Sequence, residues 1–198
     1  MRAGSLARSV LAACALLAGV NEAAARYEGD LNLFAGQKWL NAGDWEPVER
    51  QPQFGLMLAF GEERAAVHFV LDAFVASKDA SEPAATSGAL VSGSSTEVAI
   101  GVRKVWIRGA TRPHLGAGAN VVSVSEDRLN GVSGTVTNDD RGYGVWVDTG
   151  VTWRLASHLN LGFELRYSSE RVELGSGSVP RDAAAGGFHL GLLVGYGW

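Results

Sequence analysis

The sequence predicts an all-β protein, an eight-stranded antiparallel up-and-down transmembrane β-barrel, and three observations lead to this fold class. Large apolar side chains recur at every second position in eight segments, which is the period at which strand side chains alternate between faces. The opposite positions carry mostly glycine or polar residues. The connections between the segments alternate long and short, as in membrane barrels, whereas a soluble sandwich has no reason to keep all its long loops at one end.

The eight segments define the predicted strands. They are Asp30–Leu40, Gln53–Phe60, Ala65–Val75, Thr96–Ile107, Pro113–Ser125, Gly142–Arg154, His158–Ser168 and Gly186–Trp198. The long connections are Asn41–Pro52, Ala76–Ser95, Glu126–Arg141 and Glu170–Ala185, rich in Ser, Gly, Asn, Asp or Pro. The short ones are Gly61–Arg64, Arg108–Arg112 and Ala156–Ser157. Because eight is an even number, both chain ends are expected on the side of the short turns.

In the first four strands the apolar face is clear, although Phe34 and Gln37 interrupt the pattern of strand one. Its members are Leu31, Leu33, Ala35, Trp39, Phe54, Leu56, Leu58, Phe60, Val67, Phe69, Leu71, Ala73, Val75, Val98, Ile100, Val102 and Trp106. Small or polar residues such as Asn32, Gly55 and Gly101 alternate with them. One apolar face and one polar or small face is what a barrel strand between lipid and lumen requires.

The last four strands repeat the pattern, most regularly in strands seven and eight. Their apolar face consists of Leu115, Ala117, Ala119, Val121, Tyr143, Val145, Val147, Val151, Trp153, Leu159, Leu161, Phe163, Leu165, Tyr167, Phe188, Leu190, Leu192, Val194, Tyr196 and Trp198. In the last strand Leu193 is the one large apolar residue on the opposite face. A membrane strand needs about 9–11 residues, and these segments provide them.

Residues 1–25 are predicted to be a signal peptide, which would leave a barrel domain at 26–198. Arg2 and Arg8 precede the apolar run 10–20, and the small residues Ala23–Ala25 follow it. The alternative is a lipoprotein signal, since Leu11–Cys14 resembles a lipobox. Arg8 lies only six residues before Cys14, and Ala15–Ala18 continue the apolar run beyond it, whereas a lipobox ends such a run; this favours ordinary cleavage. Cleavage would remove the one cysteine, so no disulfide is expected.

The composition excludes several function classes. The formal net charge is −4, and neither a basic run nor a phosphate-binding glycine loop is present, so no nucleic-acid partner is expected. We expect no cofactor and no metal site. Asp139 and Asp140 offer a weak calcium site as the alternative to a solvated acidic turn, which is favoured.

Aromatic residues near the strand ends predict two interfacial girdles, because an amphipathic ring prefers the headgroup region. They are Trp39, Phe60, Trp106, Tyr143, Trp153, Tyr167, Phe188 and Trp198. On this pattern the chain resembles the small eight-stranded outer-membrane barrels of Gram-negative bacteria, of the outer-membrane protein A and X type. Val194, Tyr196 and Trp198 resemble the aromatic-ended signal of that family, which usually ends in Phe.

The resemblance implies a place in the Gram-negative outer membrane with both termini periplasmic. The implied partners are outer-membrane lipid and lipopolysaccharide, and the barrel-assembly machinery during biogenesis. An extracellular ligand at the loops 76–95, 126–141 and 170–185 is a further expectation, because loops of such barrels vary and meet other molecules. Nothing in the loop sequences identifies that ligand.

The inward positions predict a polar network in the lumen. It consists of Lys38, His68, Asp72, Glu97, Arg103, His114, Asp148, Arg154, Glu164, Arg166 and His189. Buried charges must be paired, so Arg154 and Arg166 are predicted to pair with Asp148 and Glu164. Eight strands enclose room for side chains or one small ligand, which favours a plugged lumen and a structural or surface-interaction role.

Two alternatives remain open. A narrow pore or small-solute channel is suggested by seven inward glycines, Gly36, Gly55, Gly101, Gly116, Gly118, Gly150 and Gly162, although glycine also relieves crowding in curved sheets. A lipid A-modifying enzyme would need a nucleophile, a base and an orienting group at the lipid face. The strands carry no outward cluster of that kind, and His158 lies at a turn, so no catalytic residue and no enzyme is predicted.

Overall fold

The computed structural model describes residues 27–62, 65, 67–80, 89–130, 134–155, 158–174 and 181–198. Within them lie nine strands and one short helix. The strands are β1 (Tyr27–Leu40), β2 (Arg50–Glu62), β3 (Val67–Asp79), β4 (Leu90–Val105), β5 (Thr111–Asn130), β6 (Gly134–Leu155), β7 (Leu159–Leu174), β8 (Arg181–Ala184) and β9 (Gly187–Gly197), and the helix is α1 (Ala42–Trp45). The predicted signal peptide 1–25, with Cys14, lies outside the described residues.

Eight of the strands close into a ring. Strands β1 to β7 pair antiparallel in sequence order, and β9 pairs with both β7 and β1 to complete the circle. The short β8 pairs with the far end of β7, outside the ring. The predicted eight-stranded up-and-down barrel is confirmed. A closed ring leaves no strand edge in the wall, so every backbone group of the wall can be paired without water.

The two ends of the barrel differ. We call turn end the end at which Tyr27, Trp198 and the β2–β3, β4–β5 and β6–β7 connections lie, and loop end the opposite one. At the turn end, Gly109 takes a φ of 62° between β4 and β5, a conformation that favours glycine. Both chain ends of the barrel therefore lie at the turn end, as predicted from the even strand number.

Five strands, β3 to β7, continue well into the segments predicted as loops, and this corrects the sequence analysis. Strand β3 extends to Asp79, β4 begins at Leu90, and β5 and β6 have 20 and 22 residues, about twice what a bilayer needs. Their pairing runs to Asn130↔Gly134, so the predicted loop 126–141 is largely a hairpin. In the remaining long connections, α1 and β8 form short elements. The turn Ala156–Ser157 and the loop centres 81–88, 131–133 and 175–180 lie outside the described residues.

The barrel is apolar outside and polar inside, the reverse of a soluble protein. Outward side chains such as Tyr143 and Leu192 are 77% and 71% exposed, and many other Leu, Val and Phe side chains share that face. Inward charged residues, Lys38, Asp72 and Arg166 among them, are buried. A continuous apolar exterior of this extent is suited to hydrocarbon. In the described part of the chain, no helix has the length and apolar character needed to cross a bilayer.

Inward glycines make room for large side chains in the lumen. Gly101 and Gly118 face each other across β4 and β5. A Cβ atom on Gly101 would lie 2.6 Å from Trp146 Cζ2, so the Trp146 indole needs that position to be glycine. The indole nitrogen donates to the backbone oxygens of Ile100 and Ala119, at 3.2 Å each. At this level the glycines thus accommodate a buried ring.

Candidate functional site

The centre of the lumen is a buried cluster of five charged residues, Asp72, Arg103, Asp148, Glu164 and Arg166, which we call the central charge cluster. Arg166 donates to Asp72 and, at 3.4 Å, to Asp148. Arg103 donates to Asp148 and, at 3.3 Å, to Glu164. Strands β3, β4, β6 and β7 each contribute inward positions at the same level. The two guanidinium groups thereby hold three carboxylates that would otherwise repel one another at close range.

Two aromatic rings enclose Arg166. Its guanidinium carbon lies 4.2 Å from the centroid of the Trp146 ring and 4.7 Å from that of Phe74. Phe74 also meets Phe34 edge-on, with centroids 5.3 Å apart. Such cation–π contacts stabilise a desolvated guanidinium by about 2 kcal/mol. They also place two large buried rings in the lumen at the level of the charges.

Next to this cluster, on the loop side, lies a second polar group formed by Lys38, Gln53, Glu97, Asn120, Ser168, Glu170 and His189, which we call the loop-side polar layer. Lys38 Nζ lies 3.5 Å from Glu97 Oε2, and the Asn120 amide donates to Glu97 at 2.7 Å and to Glu170. His189 and Glu97 are 4.0 Å apart. The layer is connected across six strands, so the residues that hold it are distant in sequence.

Ser168 and His189 form a contact that resembles a nucleophile and its base. Ser168 Oγ lies 3.0 Å from His189 Nε2 and 3.1 Å from Glu170 Oε2, and His189 Nδ1 lies 2.9 Å from Gln53 Oε1. A nucleophile must also meet its substrate. Ser168 is 1% exposed and faces the lumen, where its hydroxyl connects β7 to β9 through His189.

At the turn end, Arg154 corrects the predicted pairing. It forms an ion pair with Asp30 of β1 and lies 3.3 Å from Asn160 Oδ1, whereas Asp148 and Glu164 pair with Arg103 and Arg166 instead. Arg154 lies six residues nearer the turn end than Asp148 on β6. The two side chains therefore occupy different levels along the lumen. Both side chains face the lumen, but the Arg154 side chain cannot reach the carboxylates at the level of Asp148.

The histidines near the turn end are paired with carboxylates. His68 Nε2 lies 3.4 Å from Glu28 Oε1, and His114 Nε2 lies 3.4 Å from Glu164 Oε2. Arg112 also lies 3.4 Å from Glu28. A cavity of about 20 Å³ lies among these charged groups, enough for roughly one water molecule. Among the described residues, no group of His, Cys, Asp or Glu side chains is arranged to hold a metal ion.

The loop end is closed by an apolar cap that the sequence analysis missed. Its members come from strand extensions and from the segments around α1 and β8: Leu40, Trp45, Val48, Leu90, Val122, Val124, Val172, Leu174, Ala183 and Ala185. Trp45 Nε1 donates to the Ala184 oxygen at 2.7 Å, and the Ala184 nitrogen donates to Asp44 Oδ2 at 3.0 Å. Arg181 bridges Asp44 and Glu126 at 3.5 and 3.0 Å. The two end loops are therefore fastened to each other over the lumen.

Replacing Trp45 by Phe tests this fastening. The variant keeps most of the buried ring but leaves the Ala184 oxygen without the indole donor, so we expect a loss of about 1 kcal/mol in cap stability. Limited proteolysis of the folded barrel should cleave the loop-end segments several times faster. The matched control is Trp106→Phe at the turn end, which should leave the cleavage rate unchanged. Equal rates in Trp45→Phe and wild type would contradict a fastened cap.

The predicted girdle residues lie on the outer wall at two levels. Phe60, Trp106, Trp153 and Trp198 are near the turn end, and Trp39, Tyr143, Tyr167 and Phe188 are nearer the loop end. All are exposed except Trp39, which is half-buried. Val194 and Tyr196 lie outward on β9, and the backbone of Trp198 exchanges hydrogen bonds of 3.0 and 3.2 Å with Gly29.

No family model and no curated protein sequence matches this chain, so the comparison depends on three-dimensional structure. The Neisserial surface protein A superposes with a TM-score of 0.52 at 15% identity, covering 86% of this chain and 94% of that one. The attachment invasion locus protein of Yersinia pestis, solved with the heparin analogue sucrose octasulfate, gives 0.58 at 10%, covering 87% and 99%. The chain has the fold of the small outer-membrane β-barrels. The outer membrane protein OprG from Pseudomonas aeruginosa also matches, with a TM-score of 0.54 at 16% identity, covering 87% and 94%.

Several residues of the lumen were absent from the sequence-based network. Asp30, Gln53, Asn120, Ser168 and Glu170 are all buried and hydrogen-bonded inside the barrel. Their place in the alternation of each strand could have identified them. Ser168 and Glu170, for example, lie on the same inward face of β7 as Glu164 and Arg166. Ser168 is the end of the predicted strand seven and Glu170 lies beyond it, so strand ends set too short concealed them. Trp45 gave no periodic signal, because it lies in a non-repetitive segment.

Proposed function

We propose that this chain is an outer-membrane barrel with a structural or surface-interaction role and a plugged lumen. The observation that carries the proposal is the succession of buried layers along the lumen: the central charge cluster, the loop-side polar layer and the apolar cap. An ion that crossed the barrel would have to separate Arg166 from its carboxylates and then pass apolar side chains. Breaking such a buried pair costs about 3–5 kcal/mol before any permeation begins.

Four of the seven inward glycines, Gly55, Gly101, Gly116 and Gly150, support the plug over the narrow pore, because each faces a large side chain in the lumen. Gly55 faces the Phe74 ring, Gly116 faces the Asp148 carboxylate, and Gly150 faces the His114 imidazole. A Cβ atom at any of these positions would collide with the side chain that already fills the space. Glycine in this lumen makes room for large neighbours, which is different from lining an open channel.

The expected route to the membrane follows from the sequence pattern. A signal peptide at 1–25 would direct export, and the aromatic-ended strand β9 with Val194, Tyr196 and Trp198 would be read by the barrel-assembly machinery. Insertion from the periplasm keeps short turns inside, which would place the turn end and both termini in the periplasm. The loop end would then face lipopolysaccharide and the exterior.

The extended β5–β6 hairpin and the fastened loops favour surface interaction as the role of the loop end. Across the four predicted loops the sequence has twelve Asp and Glu residues against six Lys and Arg residues, and acidic residues still predominate when the buried Glu126 and Glu170 are left out. An acidic surface repels sulfated glycans, so the heparin analogue bound by the Yersinia pestis protein is not the class of ligand expected here. A partner with a basic surface fits this charge better.

A non-catalytic role is part of the proposal. The Ser168–His189 contact is the one arrangement in the described lumen that resembles a catalytic pair, and its hydroxyl is buried against Glu170. Lipid in the surrounding leaflet would not reach this hydroxyl, because the Ser168 side chain is buried on the lumen side of β7.

Heat-modifiable gel mobility combined with planar-bilayer conductance tests the proposal. Refolded protein should migrate as two different bands before and after boiling, and it should give no discrete conductance steps in a bilayer. A general-diffusion porin in the same bilayer is the positive control for the recording. Regular conductance steps from the heat-modifiable form would contradict the plugged lumen and support the narrow pore. A single unshifted band would contradict the membrane-barrel proposal itself.

A further inference from the structure

The outer wall carries a groove at the point where β9 begins, between β1 and β7. Gly187 is the first residue of β9 and pairs with Leu40 on one side and Ser168 on the other. On the loop side of Gly187 the chain turns inward, because Ala185 is buried in the apolar cap and its nitrogen donates to the Glu170 oxygen at 3.0 Å. The wall therefore has a notch there, with a volume of about 370 Å³.

Aromatic side chains form the membrane side of this lateral groove. Tyr167 and Phe188 pack with ring centroids 5.0 Å apart, and Trp39 follows on β1 in register with Phe188. The three belong to the loop-side girdle, at the level where a bilayer changes from hydrocarbon to headgroups. The floor of the groove is thus suited to an acyl chain.

A cation and a hydroxyl form the loop side of the groove. Ser169 and Arg171 are exposed on the outer face of β7, on the same parity as Tyr167. Among the described residues, no carboxylate lies within ion-pair distance of Arg171, although Asp140, Glu173 and Asp182 line an adjoining cavity with it. It is four strand residues beyond Tyr167, about 13 Å along β7, and its long side chain can reach back toward the girdle. This order along the strand, ring, hydroxyl, guanidinium, is complementary to a lipid with acyl chains and a phosphate headgroup.

We propose that the lateral groove binds one phosphate-bearing lipid of the surrounding leaflet, with the headgroup at Arg171 and an acyl chain on the Trp39, Tyr167 and Phe188 rings. The inference depends on the membrane location proposed above. It assigns a defined site to what would otherwise be a uniform annulus of lipid. The guanidinium of Arg171 can bind a phosphate through two parallel hydrogen bonds. It favours anionic over zwitterionic headgroups because the cation of a zwitterionic headgroup compensates the phosphate charge and is itself repelled by Arg171.

Native mass spectrometry of the refolded barrel tests the site by titration with phosphatidylglycerol and, separately, phosphatidylcholine. We expect one saturable phosphatidylglycerol adduct that binds more tightly than phosphatidylcholine. Arg171→Gln should weaken it about fivefold, since one basic residue near a lipid surface contributes about 1 kcal/mol. Ser169→Phe should abolish it by filling the groove. Arg108→Gln removes an exposed arginine at the turn end, the opposite end of the barrel from the groove, and should change nothing.

Heat-modifiable mobility of every variant separates the two proposals. If the variants keep the folded band and bind both lipids equally, with no effect of Arg171→Gln or Ser169→Phe, the lateral groove is not a lipid site and the barrel proposal stands. If the wild type pairs into dimers that Ser169→Phe disrupts, the groove is an interface between copies and the lipid proposal is overturned. Loss of the folded band in the wild type would overturn the membrane proposal instead.

Discussion

Arg166→Met is expected to destabilise the barrel by about 3–5 kcal/mol, the largest effect of any substitution considered for the lumen. Arg166 is 1% exposed and lies within 4 Å of carboxylates from Asp72, Asp148, Glu164 and Glu97. Methionine fills a similar volume between the two aromatic rings but leaves those carboxylates without their shared cation. Urea unfolding of the refolded protein in zwitterionic detergent, followed by tryptophan fluorescence and gel mobility, measures the change in midpoint.

The control for this substitution is Arg141→Met, which removes a guanidinium from the exposed outer face of β6. Such surface substitutions usually change stability by less than about 0.5 kcal/mol. A second variant separates lost charge pairing from lost packing. Adding Asp72→Asn to Arg166→Met removes one uncompensated carboxylate and should recover part of the loss. An unchanged midpoint in Arg166→Met would mean that the central charge cluster contributes nothing to the stability of the barrel.

The fold was predictable because the strand period is a property of single segments. Each wall strand separates lipid from lumen, so its sequence alternates whatever its partners are, and β7 shows this without interruption from Leu159 to Leu165. The strand ends were not predictable in the same way. Beyond the bilayer the outer face of β5 and β6 meets water, so alternation of large apolar residues stops although pairing continues to Asn130↔Gly134.

The faces of the lumen residues were also predictable, but their partners were not. Arg154 and Asp148 share the inward parity of β6, yet Arg154 pairs with Asp30 of β1 while Asp148 pairs with Arg103 of β4. Which charges share a level depends on the tilt of the strands and on the register all around the ring, and neither can be obtained from one strand. Contacts across the lumen therefore required the assembled barrel.

The apolar cap was missed for a different reason. Trp45 lies in a segment with Pro47 and several charged residues, which has no period and reads as a solvated loop. Its burial depends on β8 and on the extensions of β4, β5 and β7, which supply the other walls of the cluster. A tryptophan in a polar loop was the available signal, since a large ring exposed on a loop tip is uncommon without a contact.

Leu192→Arg is expected to destabilise the barrel in lipid vesicles by about 2–4 kcal/mol. Leu192 is 71% exposed in the middle of β9 and pairs with Ala35 and Phe163, so no protein atom covers it on the outer side. In water, an exposed leucine replaced by arginine costs little or improves solubility. In a bilayer the same change places a cation at the hydrocarbon centre. The size of the stability loss therefore shows whether this face lies in water or in hydrocarbon. Urea titration of folding in phosphatidylcholine vesicles measures that loss.

Val67→Arg is the depth control for this substitution. Val67 is exposed on the same outer surface but is the first residue of β3 at the turn end, in register with Lys104. There the arginine can reach the interface, and the cost should fall to about 0–1 kcal/mol. A large loss for Leu192→Arg with a small one for Val67→Arg indicates a hydrocarbon band of limited height around the barrel. Equal and small losses would place both residues in water, and the apolar exterior would then have to be covered by protein.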